Sequence, residues 1–443
     1  MDNSKLDLVF HSICGKRVVA GFDGGDLSSD AGLLLLSLAE TRIGLLKSMS
    51  QGIVDPREQD QVDHHVIDML QERVYAIASG YEDANDLDVL RKDPGIKAVC
   101  GRLPISGENL ASQPTISRFE NMVTRKDLFR MGMAVAETVI SDLPGDTTQV
   151  IIDVDPSDDP CHGQQEFEFF NGYYDEHCYL PIFVHVTGSD GRQRLVCGLL
   201  RPGNAYATKG LFGVLRRIVG LLRVRFPDAQ IILRGDSGYG DGNVIACCHD
   251  LGIDFVLGLK GNSRVHTLSS PVQMDACLKY RWEGNGCREY GEFRYKAGPW
   301  KKQERVVIKA EITLGKLNPR FVVSSLQKMS PEELYEFYCG RGEQENRIKE
   351  MKLDLQSGRM SCHRFMANQF RLLMHTASCV LIGVLQQALN GTKWARSQVG
   401  TIRLRLLKIG AKITESYRRI CVHMPTAFPE KETWYHIYRQ LSG

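Results

Sequence analysis

The pattern of apolar and polar positions divides the chain into a helical first part, a mixed middle part and a helical end. Over 1–145 the apolar residues recur mostly at helical spacing, after one short β-like run at 17–22. Runs rich in β-branched residues then follow at 149–154, 178–186 and 194–200. This change of period predicts a domain boundary at the end of the first part.

The middle part alternates strands with a helix. After the three β-like runs come an amphipathic helix over 207–225 and apolar strands over 230–233 and 254–259. This order of elements favours an α/β sheet covered by helices. The segment 262–327 interrupts this alternation of strands and helices, because it is rich in glycine, aromatic and charged residues. We interpret it as a β-rich insertion.

Helical patterns return after the insertion. Ser330-Pro331-Glu332-Glu333 is a capping box with proline at the first helical position. From about residue 364 to the end, the pattern predicts helix.

The composition is that of an ordinary globular protein, with 43% hydrophobic and 24% charged residues among 443. It excludes a disordered chain, a collagen-like repeat and a coiled-coil rod. The longest apolar runs are far shorter than the roughly 18 residues that a membrane span needs, so we expect no membrane partner. Without a signal-like N-terminus, the thirteen irregularly spaced cysteines predict reduced thiols in a cytoplasmic protein.

The net charge of +2 hides an asymmetry along the chain. Residues 1–145 carry 15 Lys+Arg against 22 Asp+Glu, whereas residues 356–443 carry 13 against 3. A basic end in a balanced protein indicates either an anionic partner or a solvated helical face. If the partner is anionic, we expect eight cations of this basic tail to contact it: Lys393, Arg396, Arg403, Arg405, Lys408, Lys412, Arg418 and Arg419.

Acidic residues follow two of the predicted strands. The run 150–155 leads into a crowd of carboxylates at 153–159, and like charges packed together need solvent or a cation. Asp236 follows the apolar strand 230–233, at the rim where α/β proteins build their sites.

A third group of polar residues shares one face of a predicted helix. At 100° per residue, the side chains at offsets 0, 3, 7 and 14 point in nearly the same direction if the helix is continuous. They are Tyr338, Arg341, Glu345 and Lys352. Gly340 and Gly342 weaken this helix, so it is expected to kink or restart there.

These motifs resemble those of the DDE transposases of bacterial insertion sequences. Asp236, within Arg-Gly-Asp-Ser-Gly, is similar to the second acid of that family, and the helix group matches all four positions of the YREK signature of its cut-and-paste members. The first acid then falls at the end of the strand 150–155. The resemblance covers about 148–355 by motif and nearly the whole chain by layout.

The resemblance implies an RNase H-like fold, in which a mixed sheet flanked by helices is interrupted by a β-rich insertion domain. It also implies helical N- and C-terminal regions. The expected domains are a helical DNA-binding region at 1–145, a catalytic core at 146–261 and 328–363, an insertion at 262–327 and a basic helical region at 364–443.

The resemblance further implies metal-dependent cleavage of DNA and transfer of its 3′-hydroxyl ends into a target. Asp155, Asp236 and Glu345 would hold two Mg²⁺ or Mn²⁺ ions, since hard cations prefer oxygen ligands and a pair of them can serve phosphoryl transfer. Arg341 would grip a phosphate, Lys352 would supply a point charge, and Tyr338 would lie against the cleaved strand. Trp282 and Trp300 are candidates to hold a flipped base, but core packing is the favoured interpretation for either one.

The implied partners are double-stranded DNA, as terminal inverted repeats and as target, and a second copy of the chain that joins two ends. The implied location is the bacterial cytoplasm, on the nucleoid. A metal-dependent endonuclease of the same fold and an inactive transposon-derived DNA-binding protein remain alternatives.

The choice of the first acid depends on position along the strand. Residues 153 and 155 share a face, so alternation does not separate them. Asp155 precedes Pro156 at the open end of the run, whereas Asp153 lies deeper and would be a supporting acid. We therefore predict that Asp155 is the first acid of the site. Asp158, which lies past the turn, is a less favoured candidate.

Overall fold

A computed structural model describes residues 8–443 of the chain in two compact units. The terminal unit comprises 8–50, Asp55–Met122 and Leu381–Gly443, and the central unit comprises Gln51–Val54 and Val123–Val380. No helix among the described residues is long and apolar enough to cross a membrane.

The first part of the terminal unit is mainly helical, as predicted, and the strand expected at 17–22 is present as β2. Helix α1 packs its buried leucines in the core. The residue that follows it, Gly44, has a φ of 63°, a left-handed conformation that glycine adopts readily after a helix. The elements are β1 (Leu8–Ile13), β2 (Lys16–Ala20), β3 (Leu27–Ser28), α1 (Leu33–Ile43), α2 (Leu45–Gln51), α3 (Val66–Ala78), α4 (Leu87–Leu90), α5 (Pro94–Val99) and α6 (Gln113–Met122).

The central unit is built on one large sheet with many helices. Its first elements are α7 (Arg125–Ser141), β4 (Gln149–Pro156), β5 (Asp159–Pro160), β6 (Phe169–Asn171), β7 (Glu176–Tyr179), β8 (Ile182–Thr187), β9 (Gln193–Leu199), α8 (Leu211–Arg225), β10 (Gln230–Gly235), α9 (Gly242–Leu251) and β11 (Asp254–Leu259). Its later elements are α10 (Ser263–Leu268), α11 (Ser270–Glu283), β12 (Cys287–Tyr295), β13 (Glu304–Thr313), β14 (Lys316–Ser324), α12 (Pro331–Cys339) and α13 (Gly342–Lys349).

The large sheet is mixed, in the order β12-β13-β14-β11-β10-β4-β8-β9. Strands β4, β10 and β11 are parallel neighbours, while β8 and β9 continue from β4 in antiparallel pairs. The apolar residues of β4, β8, β10 and β11 are buried in its core. The prediction of a mixed sheet with helices is confirmed, and the strand order is consistent with an RNase H-like arrangement.

The segment 262–327 supplies three strands of that same sheet. Strand β14 pairs with β11 from Val256↔Ser324 to Leu259↔Phe321, and β13 and β12 follow outward. Helices α10 and α11 belong to the same segment. Its β-rich character is therefore observed as an extension of the sheet inside the central unit.

The end of the chain corrects the prediction of a wholly helical region over 364–443. Helices α14 (Phe365–Ala388), α15 (Val399–Ile402) and α16 (Lys431–Ser442) are present, but β15 (Ala411–Ser416) and β16 (Arg419–His423) form an antiparallel hairpin between them. Ala411 and Ile413 are buried while Lys412 and Thr414 are exposed. This period-two burial, with β-branched residues, favours a strand over a helix.

Candidate active site

The two strands that carry the aspartates lie side by side and run in parallel. Their register pairs Gly235 with Val154, so Asp155 and Asp236 come next at the same edge of the sheet. The carboxyl ends of parallel strands are where α/β proteins place their sites. Gly258 on β11 permits this crowding, because a Cβ there would lie 2.6 Å from the backbone nitrogen of Ser237 and 2.7 Å from the hydroxyl of Tyr338.

The polar helix restarts at its glycines, as the sequence predicted. Helix α12 ends at Cys339, α13 begins at Gly342, and a π-helical turn occupies Glu350–Asp354. Gly340 and Arg341 keep helical backbone angles, so Tyr338, Arg341 and Glu345 retain a common face. Such π-turns are frequent near functional sites.

Arg341 joins the acids of the strands to the acid of the helix. Its guanidinium lies 3.5 Å from Oδ2 of Asp155 and 3.0 Å from Oε1 of Glu345, and its charge opposes the rise that burial causes in the pKa of Tyr338. Burial lowers the pKa of Arg341, but its neighbours, which include Asp236, raise it above the ordinary value. Two of the predicted acids thus contact Arg341 directly, and the third, Asp236, contributes to its electrostatic environment.

The charge of Asp155 is only partly compensated. Burial raises the pKa of this carboxyl to about 7, Asp236 and Glu345 add to the rise, and Arg341 opposes it. A buried carboxylate with two acidic neighbours favours either a proton or an additional cation. Asp155 therefore has the electrostatic setting of a functional acid.

Lys352 lies apart from this group. Its Nζ donates to the backbone oxygen of Asp158 at 2.7 Å and lies 3.1 Å from Oδ1 of the same residue. The π-helical turn alters the regular 100° spacing on which the four-residue stripe depended. The structure therefore brings three of the four signature residues together and pairs the fourth with Asp158.

Asp153 is a structural acid beneath the site. It is fully buried and accepts hydrogen bonds from Arg234 at 2.6 and 2.9 Å and from Gln193 at 2.7 Å. Arg234 also donates to the backbone oxygen of Phe337 at 2.6 Å, in the turn of helix before Tyr338. A Cβ at Gly340 would lie 2.5 Å from Nη1 of Arg234, so glycine permits this approach.

Gln344 fastens the helix of Glu345 to the sheet. Its buried Nε2 lies 3.1 Å from the backbone oxygens of Asp153 and Phe183 and from Nδ1 of His185. Burial lowers the pKa of His185 to about 3, so its ring is neutral and able to accept. Sequence reasoning missed Gln344 and Arg234, although an arginine within an apolar strand was a visible signal for the second.

A cavity of about 640 Å³ opens from the acids along β11 and β14. Asp236, Glu345 and Arg341 line one part of it, and Lys260 and Arg320 are among its other lining residues. Both of these cations are exposed. The sequence offered no signal for them, since they come together only when β14 pairs with β11.

The donor set suits a hard cation, although a complete ligand cluster is not preformed. Among residues 8–443, no three His, Cys, Asp or Glu side chains stand close enough together to hold a metal ion. Two carboxylates nevertheless pair with Arg341, Asp236 acts on the same guanidinium electrostatically, and burial raises the pKa of Asp155. Oxygen ligands and uncompensated negative charge are what Mg²⁺ or Mn²⁺ requires.

The two tryptophans proposed to hold a flipped base differ in exposure. Trp300 is buried against Tyr295 and beside Gly242, so it fills a core position, which is the role that the sequence favoured over base binding. Trp282, near the end of α11, is 87% exposed and stays a candidate.

The eight cations of the basic tail fall into two groups within the terminal unit. Lys393 pairs with Glu430 at 2.9 Å, Lys408 pairs with Asp30 at 2.6 Å, and Arg403 donates to the backbone oxygen of Ala78. The other five are exposed: Arg396, Arg405, Lys412, Arg418 and Arg419. Arg405 lies over the ring of Trp394.

Comparison with known proteins identifies the family of the chain. No curated protein matches the chain. Residues 10–443 match the family described as transposase DDE domain group 1. Because this match spans nearly the whole chain, the protein belongs to transposase DDE domain group 1.

Proposed function

We propose that this protein is a DNA transposase that binds the ends of an insertion sequence, cleaves the DNA and transfers its 3′-hydroxyl ends into target DNA. Its family implies nuclease or transferase chemistry in general. The observation that carries the proposal is the guanidinium of Arg341, which contacts Asp155 and Glu345 beside the strand end that bears Asp236. We also propose membership of the YREK cut-and-paste group.

Asp155, Asp236 and Glu345 would hold divalent metal ions, two per site. When bound, Mg²⁺ or Mn²⁺ would supply an activated water and stabilise the leaving oxygen. The role of the chain is to hold three carboxylates on rigid elements at one edge of the sheet. The Asp153–Arg234 pair and Gln344 stabilise that placement.

Arg341 is the proposed phosphate ligand of the chain. Its planar guanidinium can bind a phosphate in place of a carboxylate, and Tyr338 lines the same cavity. Lys260 and Arg320, in the cavity that continues from the acids, would neutralise neighbouring phosphates. Lys352, as it lies, would act through Asp158.

Two partners follow from this function. Double-stranded DNA is the substrate, both as terminal repeats and as target, and a homodimer is needed because two ends must be joined. We place the protein in the bacterial cytoplasm, on the nucleoid when it acts.

The test is a donor plasmid that carries the gene with its flanking DNA, incubated with the protein, Mg²⁺ and a target plasmid. A transposase yields excised element and joined products whose 3′ ends are linked to target DNA. An endonuclease without strand transfer yields cuts and no joined product, whereas an inactive DNA-binding protein yields neither. Glu345→Gln is the matched inactive control.

A further inference from the structure

The hairpin β15–β16 projects a short basic tip. Ser416 pairs with Arg419, so Tyr417 and Arg418 alone form the connecting loop. Tyr417 is fully exposed, and Arg418 and Arg419 are exposed beside it.

The base of this hairpin is held firmly in the terminal unit. Strand β15 pairs with β3 through Ala411↔Ser28 and Lys412↔Leu27, and Ile413 is buried. Glu415 accepts hydrogen bonds from the backbone nitrogens of Ile105 and Ser106 and from the hydroxyl of Ser106. One face of the ribbon is therefore occupied by packing and by these bonds.

The opposite face is polar and carries no carboxylate. Cross-strand partners share a face, so Lys412 with His423, Thr414 with Cys421 and Ser416 with Arg419 make up this outer face. Glu415, the one acid of the two strands, belongs to the other face. The outer face thus combines two permanent cations with hydroxyl groups.

Three other cations of the basic tail contrast with those of the hairpin. Lys393 and Lys408 each pair with a carboxylate, and Arg403 is bonded to backbone. Within the described chain no ion pair involves Lys412, Arg418 or Arg419. Three of the five exposed cations of the tail therefore lie on the hairpin, and the other two are Arg396 and Arg405.

We propose that the outer face and tip of β15–β16 dock in the major groove of duplex DNA. This inference rests on the proposed function for the identity of the partner as DNA. The major groove, about 12 Å wide, admits a two-stranded ribbon, and arginine can contact guanine edges or phosphates there. Lys412 and Arg419 face the groove from the strands, while Tyr417 and Arg418 reach in from the tip.

The test uses the full chain with Asp236→Asn, so that bound DNA is not cut, and short duplexes that tile the DNA on both sides of the gene. Arg418→Ala/Arg419→Ala is compared with Lys301→Ala/Lys302→Ala, which removes two exposed cations from the β12–β13 turn. The hairpin variant is expected to flatten the slope of log K against log salt by about two, at roughly 0.9 per lost phosphate contact, or less where a contact is to a base. The unchanged hairpin is also expected to protect guanine N7 from dimethyl sulfate, and the variant to lose that protection.

The outcomes separate this inference from the proposed function. Unchanged slope and footprint in a folded hairpin variant would show a solvated or protein-binding surface, even if the native protein cuts element ends. Protection of adenine N3 instead of guanine N7 would place the hairpin in the minor groove and overturn the proposal. Loss of guanine protection in the variant, with a native protein that cleaves nothing, would support the hairpin and refute the transposase.

Discussion

Arg234 donates to both carboxylate oxygens of Asp153, at 2.6 and 2.9 Å, across two neighbouring parallel strands. Each partner precedes a proposed metal ligand by two residues, so the pair lies on the same strands as Asp155 and Asp236, directly beneath them. Because Arg234 also bonds to Phe337, it joins the third acidic element, the helix, to the two strands.

Asp153→Asn is expected to destabilise the protein by about 3–5 kcal/mol, because it leaves a buried guanidinium without its counter-charge. The measurement is the free energy of unfolding in urea. Glu343→Gln, which breaks an exposed pair with Arg347, is the control and should cost less than about 1 kcal/mol. If the two substitutions lowered the free energy of unfolding equally, the Asp153–Arg234 pair would not have the structural role that we assign to it.

Asp155→Asn is expected to change the pH dependence of stability. The pKa of Asp155 in the folded state, about 7, lies above its value in the unfolded state. Ionisation of this group therefore lowers the stability of the folded protein as pH rises from about 4 to about 7. The variant lacks that loss. Its free energy of unfolding, relative to that of the native protein, should therefore rise over this pH window by up to about 4 kcal/mol. Unfolding free energies at pH 5 and pH 8 in EDTA measure the part of this rise that accrues above pH 5, which is about 3 kcal/mol. Parallel pH profiles would contradict the buried setting of Asp155.

Gln344→Leu is expected to lower the cleavage rate while DNA affinity stays unchanged. The substitution removes the two N–H groups that the backbone oxygens of Asp153 and Phe183 and Nδ1 of His185 share, so the helix that carries Glu345 loosens from the sheet. Single-turnover cleavage and filter binding separate the two quantities. Asn346→Ala, on the same helix, serves as the control, and an equal loss of affinity in Gln344→Leu would argue against a positioning role.

Lys408→Met is expected to reduce stability by about 1–3 kcal/mol, because Asp30 is buried and would lose its cation. Arg418→Ala should leave stability unchanged within about 0.5 kcal/mol, as an exposed residue does. Thermal unfolding compares the two. If Arg418→Ala were destabilised and Lys408→Met were not, the assignment of Lys408 to a structural role and of Arg418 to a free surface would be wrong.

Local patterns predicted those features that depend on neighbouring residues in the chain. The break near Gly340 and Gly342 was expected from helix propensity, and the deeper position of Asp153 from its place in the strand. The three acids came from motifs, and their roles stay proposals.

Features that depend on register and long-range pairing were not predictable. The hairpin β15–β16 lay in a region expected to be helical and was missed for a different reason, because its alternation over 411–416 is a local signal that was not used. Only its pairing with β3, nearly four hundred residues away, depends on long-range contacts. Similarly, Gln344 meets Asp153 and His185 only because β4 and β8 are neighbours. The π-helical turn that separates Lys352 from the other signature residues had no local signal either.

The most direct test of the central claim is cleavage of an end-labelled DNA fragment from the element by single variants in Mg²⁺. Asp155→Asn, Asp236→Asn and Glu345→Gln should each abolish cleavage while they still bind the fragment. Glu343→Gln, two residues from Glu345 on the same helix, should cleave normally. Near-normal cleavage by any of the three acid variants would contradict the proposed site.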